Sequence, residues 1–240
     1  MPDQIIRILH TNDLHGTLDQ RRVDILKSVR HKCDLYFDTG DCIKTGNLGI
    51  PLRPEPVWSY LAELNCTASV PGNRESHVLR SALDAKLAGH QHPILCANLY
   101  DKAAEKILPA STTLEVQGLK VGIFGVMVPM VTQKMKSQGL SQMLWTQPIP
   151  EAIETAQELR QTCDLVIALT HIGHRQDQAL AESTKNIDLI LGGHSHTVLE
   201  EPTLVNQTWI CQTGSHGRYY GQYEWQSGIG LTQAHLSTWR

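Results

Sequence analysis

The sequence predicts an α/β protein, read as one domain over residues 1–240. Three observations carry that reading. Short apolar runs rich in β-branched residues recur along the chain. Segments of helical periodicity alternate with them early, and more strands follow late. The loops after the apolar runs are rich in Asp, Asn, His and Gly, and no low-complexity linker or break in composition interrupts the pattern.

Taken in order, "IIRILH" (5–10) reads as a buried strand, followed by a helix over about 21–31. "DLYFDTGD" (34–41) is a strand ending in a carboxylate. In "EPVWSYLAELN" (55–65), Val57, Tyr60, Leu61 and Leu64 share one helical face. "TASVPGNRE" supplies a strand end, and "SHVLRSALDAKLAG" a helix closed by Gly89. "HPILCANL" (92–99) reads as a strand, and 112–128 as two strands turning at Gly118. A helix over 150–162 begins at proline. "DLVIALTH" (164–171) and "IDLILGGHSH" (187–196) are buried strands running into histidines. "TWICQTG" (208–214) and a hairpin over 221–237 end the chain.

Composition narrows the function. A net charge of −3 with no long basic run gives no electrostatic case for a nucleic-acid polymer as partner. No stretch reaches the roughly 20 apolar residues a membrane span needs, and the first residues lack the features of a signal peptide. The six cysteines include no C-x-x-C pair, which argues against a zinc ribbon and suggests a reducing, cytoplasmic setting.

The chemistry lies at the strand ends: Asp13, His15, Asp41, Asn73, His171, His194 and His196. Two carboxylates, four imidazoles and one amide suit divalent ions such as Mn, Fe, Zn or Co. Seven donors exceed one tetrahedral site and suit two ions about 3.5–4 Å apart with a bridging carboxylate. In extended backbone, residues i and i+2 point the same way, so Asp13 with His15, and His194 with His196, can converge on common centres.

These motifs resemble those of the calcineurin-like metallophosphoesterase superfamily: Asp13-Leu14-His15, Gly40-Asp41, Gly72-Asn73-Arg74-Glu75, His171 and Gly193-His194-Ser195-His196. "HTNDLHG" (10–16), "HIGHRQD" (171–177) and "QTGSHGRYYG" (212–221) are similar to the N-terminal metallophosphatase domain of the 5′-nucleotidase branch. The resemblance implies a four-layer α/β/β/α sandwich of two mixed sheets flanked by helices. It implies one metal on Asp13, His15 and His196, a second on Asn73, His171 and His194, and Asp41 bridging them. It further implies hydrolysis of small phosphorylated substrates, nucleotide-like ones among them, by a metal-activated hydroxide. Manganese is the ion expected to serve in vitro. A non-catalytic scaffold on the same fold is the alternative.

The chain departs from that pattern twice. Arg74 stands where the family has histidine, and a guanidinium does not donate a proton at neutral pH. It can clamp phosphate oxygens, so Arg74 is assigned with Asn73 and Asp41 to the catalytic set. His77 and His216 are the candidates for substrate contact and for a replacement acid. A bland alternative pairs Arg74 with Glu75 or a surface carboxylate. Second, members of this branch carry a C-terminal domain that stacks the nucleobase. The chain ends at Trp239-Arg240, so that domain is expected to be absent and nucleotide selectivity is not carried over.

Overall fold

The central strands alternate strictly, and that alternation builds the layers. The computed structural model describes residues 4–239. In β1 (Ile5–Thr11) and β2 (Leu35–Asp38), Ile6, Ile8, Leu35 and Phe37 point to one face, Leu9 and Tyr36 to the other. In β6 (Leu119–Met127) and β8 (Leu165–His171), Val121, Ile123, Leu165, Ile167 and Leu169 face inward, while Phe124, Val126, Val166 and Ala168 face outward. Strands apolar on both faces must be covered on both, so two sheets pack face to face and helices close the outside.

The first sheet runs β13-β12-β1-β2-β3, with β3 at Ala68–Ser69, β12 at Tyr219–Gln226 and β13 at Gly230–Thr238. Its outer face packs α1 (Gln20–Arg30), α2 (Pro56–Glu63) and α3 (Arg80–Leu87) through Val23, Leu26, Val57, Trp58, Leu61 and Leu83. The second sheet runs β10-β11-β9-β8-β6-β5, with β5 at Ser111–Val116, β9 at Leu189–Gly192, β10 at Thr203–Val205 and β11 at Thr208–Cys211. Its outer face packs α4 (Pro148–Arg160) and α5 (His174–Ser183) through Ala152, Ala156, Leu159, Leu180 and Ala181. This is the expected four-layer α/β/β/α sandwich of two mixed sheets. Local signals set the helix starts: the Asp19 carboxylate accepts from the Arg22 amide, and Pro148 opens α4.

Four expectations need correction. Residues 92–98 do not form a regular strand: the segment passes between elements and changes hydrogen-bond partner at almost every residue. Leu95 N–H donates to Ser69, Cys96 N–H to Pro109 and Ala97 N–H to Gly125. The strand begins only at β4 (Leu99–Asp101), which pairs with the short, unanticipated β7 (Met143–Trp145). Helix α3 starts at Arg80, because residues 76–79 form a loop in which the Leu79 amide donates to His77 Nδ1. Helix α5 was missed because its buried stripe is weak: Asp177, Leu180 and Ala181 in an otherwise polar sequence.

Where the 92–98 segment crosses β6, Gly125 leaves room for the Leu95 carbonyl, into which a Cβ would intrude. Gly125→Ala should therefore destabilise the protein by about 1–3 kcal/mol through overpacking of backbone on backbone. Urea unfolding monitored by tryptophan fluorescence checks this, and an unchanged midpoint would show that the crossing gives way freely.

Candidate metal centre

In the first sheet β1, β2 and β3 run parallel, and in the second β6, β8, β9 and β11 do so. Parallel strands deliver their C-terminal loops to one edge. The loops after β1, β2, β3 and β9, with His171 at the end of β8, carry the seven expected donors, and the structure brings all seven together. Close approach between these loops depends on glycine. A Cβ on Gly72 would lie 2.8 Å from the His171 ring and would clash with Asp41, while Gly40 holds a φ of +87° with Gly72 N 2.7 Å from its Cβ position.

The donors form two adjoining groups. His15 Nε2 and His196 Nε2 are 3.1 Å apart, and Asp13 Oδ1 lies 3.3 Å from His196 Nε2 and 3.8 Å from His15 Nε2. Asn73 Oδ1 lies 3.2 Å from His171 Nε2 and 3.0 Å from His194 Nδ1. Asp41 stands between the groups: Oδ1 is 3.6 Å from His171 Nε2, and Oδ2 is 4.0 Å from His15 Nδ1.

The residues fit metal ions by two tests. Asp13 Oδ2 accepts from the Asn12 side chain at 2.8 Å and from the His194 amide at 2.9 Å, but the buried Oδ1 has no hydrogen-bond partner. His171 Nδ1 must donate to the Thr39 carbonyl at 2.7 Å, which in the neutral ring leaves Nε2 as a lone pair. That lone pair faces the oxygens of Asn73 and Asp41, an arrangement that calls for a cation among them. Burial, reinforced by the nearby Arg74 guanidinium, holds the His15 pKa down at about 4, so its imidazole is neutral at pH 7 and able to ligate. Burial also lowers His194 and raises Asp41 to about 6, the latter opposed by His171 and reinforced by Glu75.

Two buried charges shape this edge, and the sequence reading missed both roles. The Glu75 carboxylate accepts from the amides of Asp41 (2.9 Å), Gly72 (2.8 Å) and Ile43 (3.1 Å), clamping the Asp41 loop to the Asn73 loop. Its only signal was its place in the GNRE motif. The Lys86 ammonium lies 2.5–3.0 Å from the carbonyls of Gly46, Asn47, Arg74 and Ser76, which share its three N–H donors. Burial lowers its pKa to about 8, which still leaves it charged at neutral pH. Nothing in the α3 sequence distinguishes it from a surface lysine.

Arg74 does not pair with Glu75. Its amide donates to Asp41 Oδ1 at 2.7 Å, and its Nη1 donates to the Lys44 carbonyl at 2.8 Å. His77 Nδ1 accepts from the Leu79 amide, and among the described residues no hydrogen bond ties His77 to the donor groups. His216 does reach them: its ring centroid is 4.4 Å from that of His15 and 5.6 Å from that of His196. Asn12 ties the Asp13 loop to the loop after β11, accepting from Thr213 N at 2.8 Å and donating to the Gly214 carbonyl at 2.6 Å.

A four-layer sandwich that gathers carboxylate, imidazole and amide donors on the loops beyond its central parallel strands has the make-up of a metallophosphoesterase. The chain belongs to the calcineurin-like phosphoesterase family, whose model matches residues 6–198. Divalent metal ions are implied by that membership, and the donor groups are the candidate ligands. The chain is 28% identical over 236 residues to an uncharacterized metallophosphoesterase of Bacillus subtilis, covering 91% of this chain and 49% of that protein. It is 28% identical over 278 residues to a 5′-nucleotidase of Vibrio cholerae, covering 93% of this chain and 49% of the relative. It thus spans about half the length of these curated relatives. Its fold matches that of a 5′-nucleotidase precursor from Thermus thermophilus with a TM-score of 0.78 at 20% identity, covering 98% of this chain and 55% of the other.

Removing the clamp tests how the edge is held. Glu75→Ala orphans three buried amides and should cost about 2–4 kcal/mol of stability. It should also weaken manganese binding by about 10–100-fold, as loss of a group that orients ligands does. Chemical denaturation and calorimetric metal titration read the two effects, and undiminished metal affinity would show that the loops hold without the clamp.

Proposed function

We propose that this chain is a phosphohydrolase that works with two divalent ions and acts on small phosphorylated substrates, nucleotides or phosphoanhydrides among them. The observation that carries the proposal is the pair of donor groups sharing Asp41. Asp13, His15 and His196 would hold one ion, Asn73, His171 and His194 the other, and Asp41 both. Divalent ions there supply charge that offsets phosphate oxygens and make water acidic enough to serve as a nucleophile near neutral pH. The similarity to 5′-nucleotidases supports a nucleotide-like substrate. Six free cysteines, five of them buried, support the reducing, cytoplasmic setting that forms part of the proposal. No helix among the described residues is long and apolar enough to cross a membrane. The completeness of both donor groups weighs against a scaffold, which has no chemical need of them.

The chain's own residues position the substrate. Asn12 and Thr39 orient Asp13 and His171, fixing where a phosphate can sit. Arg74 is held at the rim by the Lys44 carbonyl and the Asp41 carboxylate, and supplies fixed positive charge to phosphate oxygens. It holds its proton, so it gives the leaving group no acid catalysis, an effect typically worth roughly 10²–10⁴-fold. Among the proposed substrates, phosphoanhydrides and aryl phosphates, whose leaving groups depart without protonation, should therefore turn over faster than nucleoside monophosphates, whose alkyl leaving group needs a proton.

Two measurements test this. Purified protein with Mn²⁺ should turn over an aryl phosphate, lose that activity to a chelator and regain it on adding metal, with Asp41→Asn at least about 100-fold slower because both ions lose a ligand. Two bound ions with no turnover across aryl phosphates, nucleotides, cyclic nucleotides, sugar phosphates and anhydrides would instead favour the scaffold. Separately, Arg74→His should raise the rate on an alkyl phosphate relative to an aryl phosphate. Equal changes on both would refute the leaving-group argument.

A further inference from the structure

His216 was expected at the substrate; we propose instead that it is a further ligand of the ion held by Asp13, His15 and His196. The inference rests on the two-ion reading above and assigns that ion a third imidazole. The ligand-capable nitrogens of His15, His196 and His216 all lie within 4.8 Å of one another. Ligands about 2.1 Å from a common ion stand about 3.0–4.2 Å apart, so a small turn of the exposed His216 ring brings it into range. His216 can keep one ring nitrogen free for this. Its Nδ1 is 2.9 Å from Ser215 Oγ, and donation there leaves the Nε2 lone pair for the ion, as the outer hydrogen bond of a ligating histidine does.

The backbone gives a second, independent indication. The His216 amide donates to the Asp13 carbonyl at 2.7 Å, fastening the loop after β11 to the loop that carries two ligands. His216 holds a φ of +56°, unfavourable for a residue with a Cβ. The same left-handed backbone recurs at Asp13, His15, Asp41, His194 and His196, all of them expected ligands; the other non-glycine residues that hold it among those described, Asn65, Ala104, Gln117 and Asn206, lie in ordinary turns and bends elsewhere. Such strain collects where a side chain must be aimed at a functional centre.

The donor chemistry sets the consequence. With His216 the ion position is built from three imidazoles and the carboxylates of Asp13 and Asp41, whereas the neighbouring position has two imidazoles, an amide and Asp41. Imidazole suits Zn²⁺, Fe²⁺ and Ni²⁺, and oxygen donors suit Mn²⁺ and Mg²⁺. The His216 position therefore favours Zn²⁺, Fe²⁺ or Ni²⁺ over the manganese expected from the resemblance, and the two positions differ in metal preference.

The test uses the metal-stripped full chain with Zn²⁺, Mn²⁺ and Co²⁺ as probes. His216→Gly suits the left-handed backbone and removes the imidazole, and His216→Asn, which also tolerates that backbone, is the second variant should the first fail to fold. Calorimetric titration should show two ions in both proteins, with Zn²⁺ affinity at one position at least about tenfold weaker in the variant and Mn²⁺ affinity changed less than about threefold. The visible absorption of bound Co²⁺ should shift. Unchanged Zn²⁺ affinity and an unchanged Co²⁺ spectrum overturn the assignment of His216 alone. Equal losses for Zn²⁺ and Mn²⁺ overturn it as well, since a general loosening of the loop does not discriminate between metals. Wild-type protein that binds neither ion overturns the two-ion reading together with it.

Discussion

At the shared edge of the two sheets, oxygens and imidazole nitrogens that carry lone pairs are held 3.0–3.8 Å from one another. Without a proton or a cation between them these groups repel. Much of the architecture can be understood as what is needed to keep them there. Parallel strands bring the loops to one place, and Gly40 and Gly72 let the backbones approach. Glu75 gathers the amides of two loops, and its negative charge reinforces the rise of the Asp41 pKa. An edge so arranged is completed by positive charge.

Two fixed cations already stand at this edge and divide the work. Lys86 is buried within a cage of four carbonyls and never meets solvent, so its charge serves structure. Arg74 spends one donor on the Lys44 carbonyl and keeps its guanidinium at the rim. The segment that presents Arg74 is thus fastened from beneath by Lys86 and from the side by Asp41. Arg74 can therefore present its charge at the rim while Asn73, one residue earlier, keeps its place among the donors.

Much of this was legible in the sequence, because strand alternation is a local property and the D-x-H and H-x-H pairs mark the donor loops. The geometry behind those pairs is not the expected one: Asp13, His15, His194 and His196 all hold positive φ and converge through tight turns beyond β1 and β9, not through extended backbone. The paired strands at Gly118 and the final hairpin were readable from strand alternation. The 92–98 segment was not: its composition suits a strand, but its backbone partners come from β3, the Pro109 loop and β6, and no local pattern encodes them. Helix α5 was hidden by a stripe of only three buried residues, one of them a carboxylate. Glu75 and Lys86 were illegible as clamps because their partners are backbone groups, which every residue has. His77 and His216 looked equivalent in sequence, and only the crossing from β11 back to the Asp13 loop separates them.

Six residues at the edge hold a backbone conformation that costs a side-chain-bearing residue roughly 1–2 kcal/mol, less for Asp and His than for most. The strain is local, and the rigid sheets beneath prevent its release. An ion bound among these residues would oppose it directly, stabilising the fold according to the ion's free concentration relative to its dissociation constant, by about 2.7 kcal/mol at a hundredfold excess. The proposed ions would then belong to the folding equilibrium as well as to the chemistry. The supply of metal in the cell would set how long the chain survives as well as how fast it turns over.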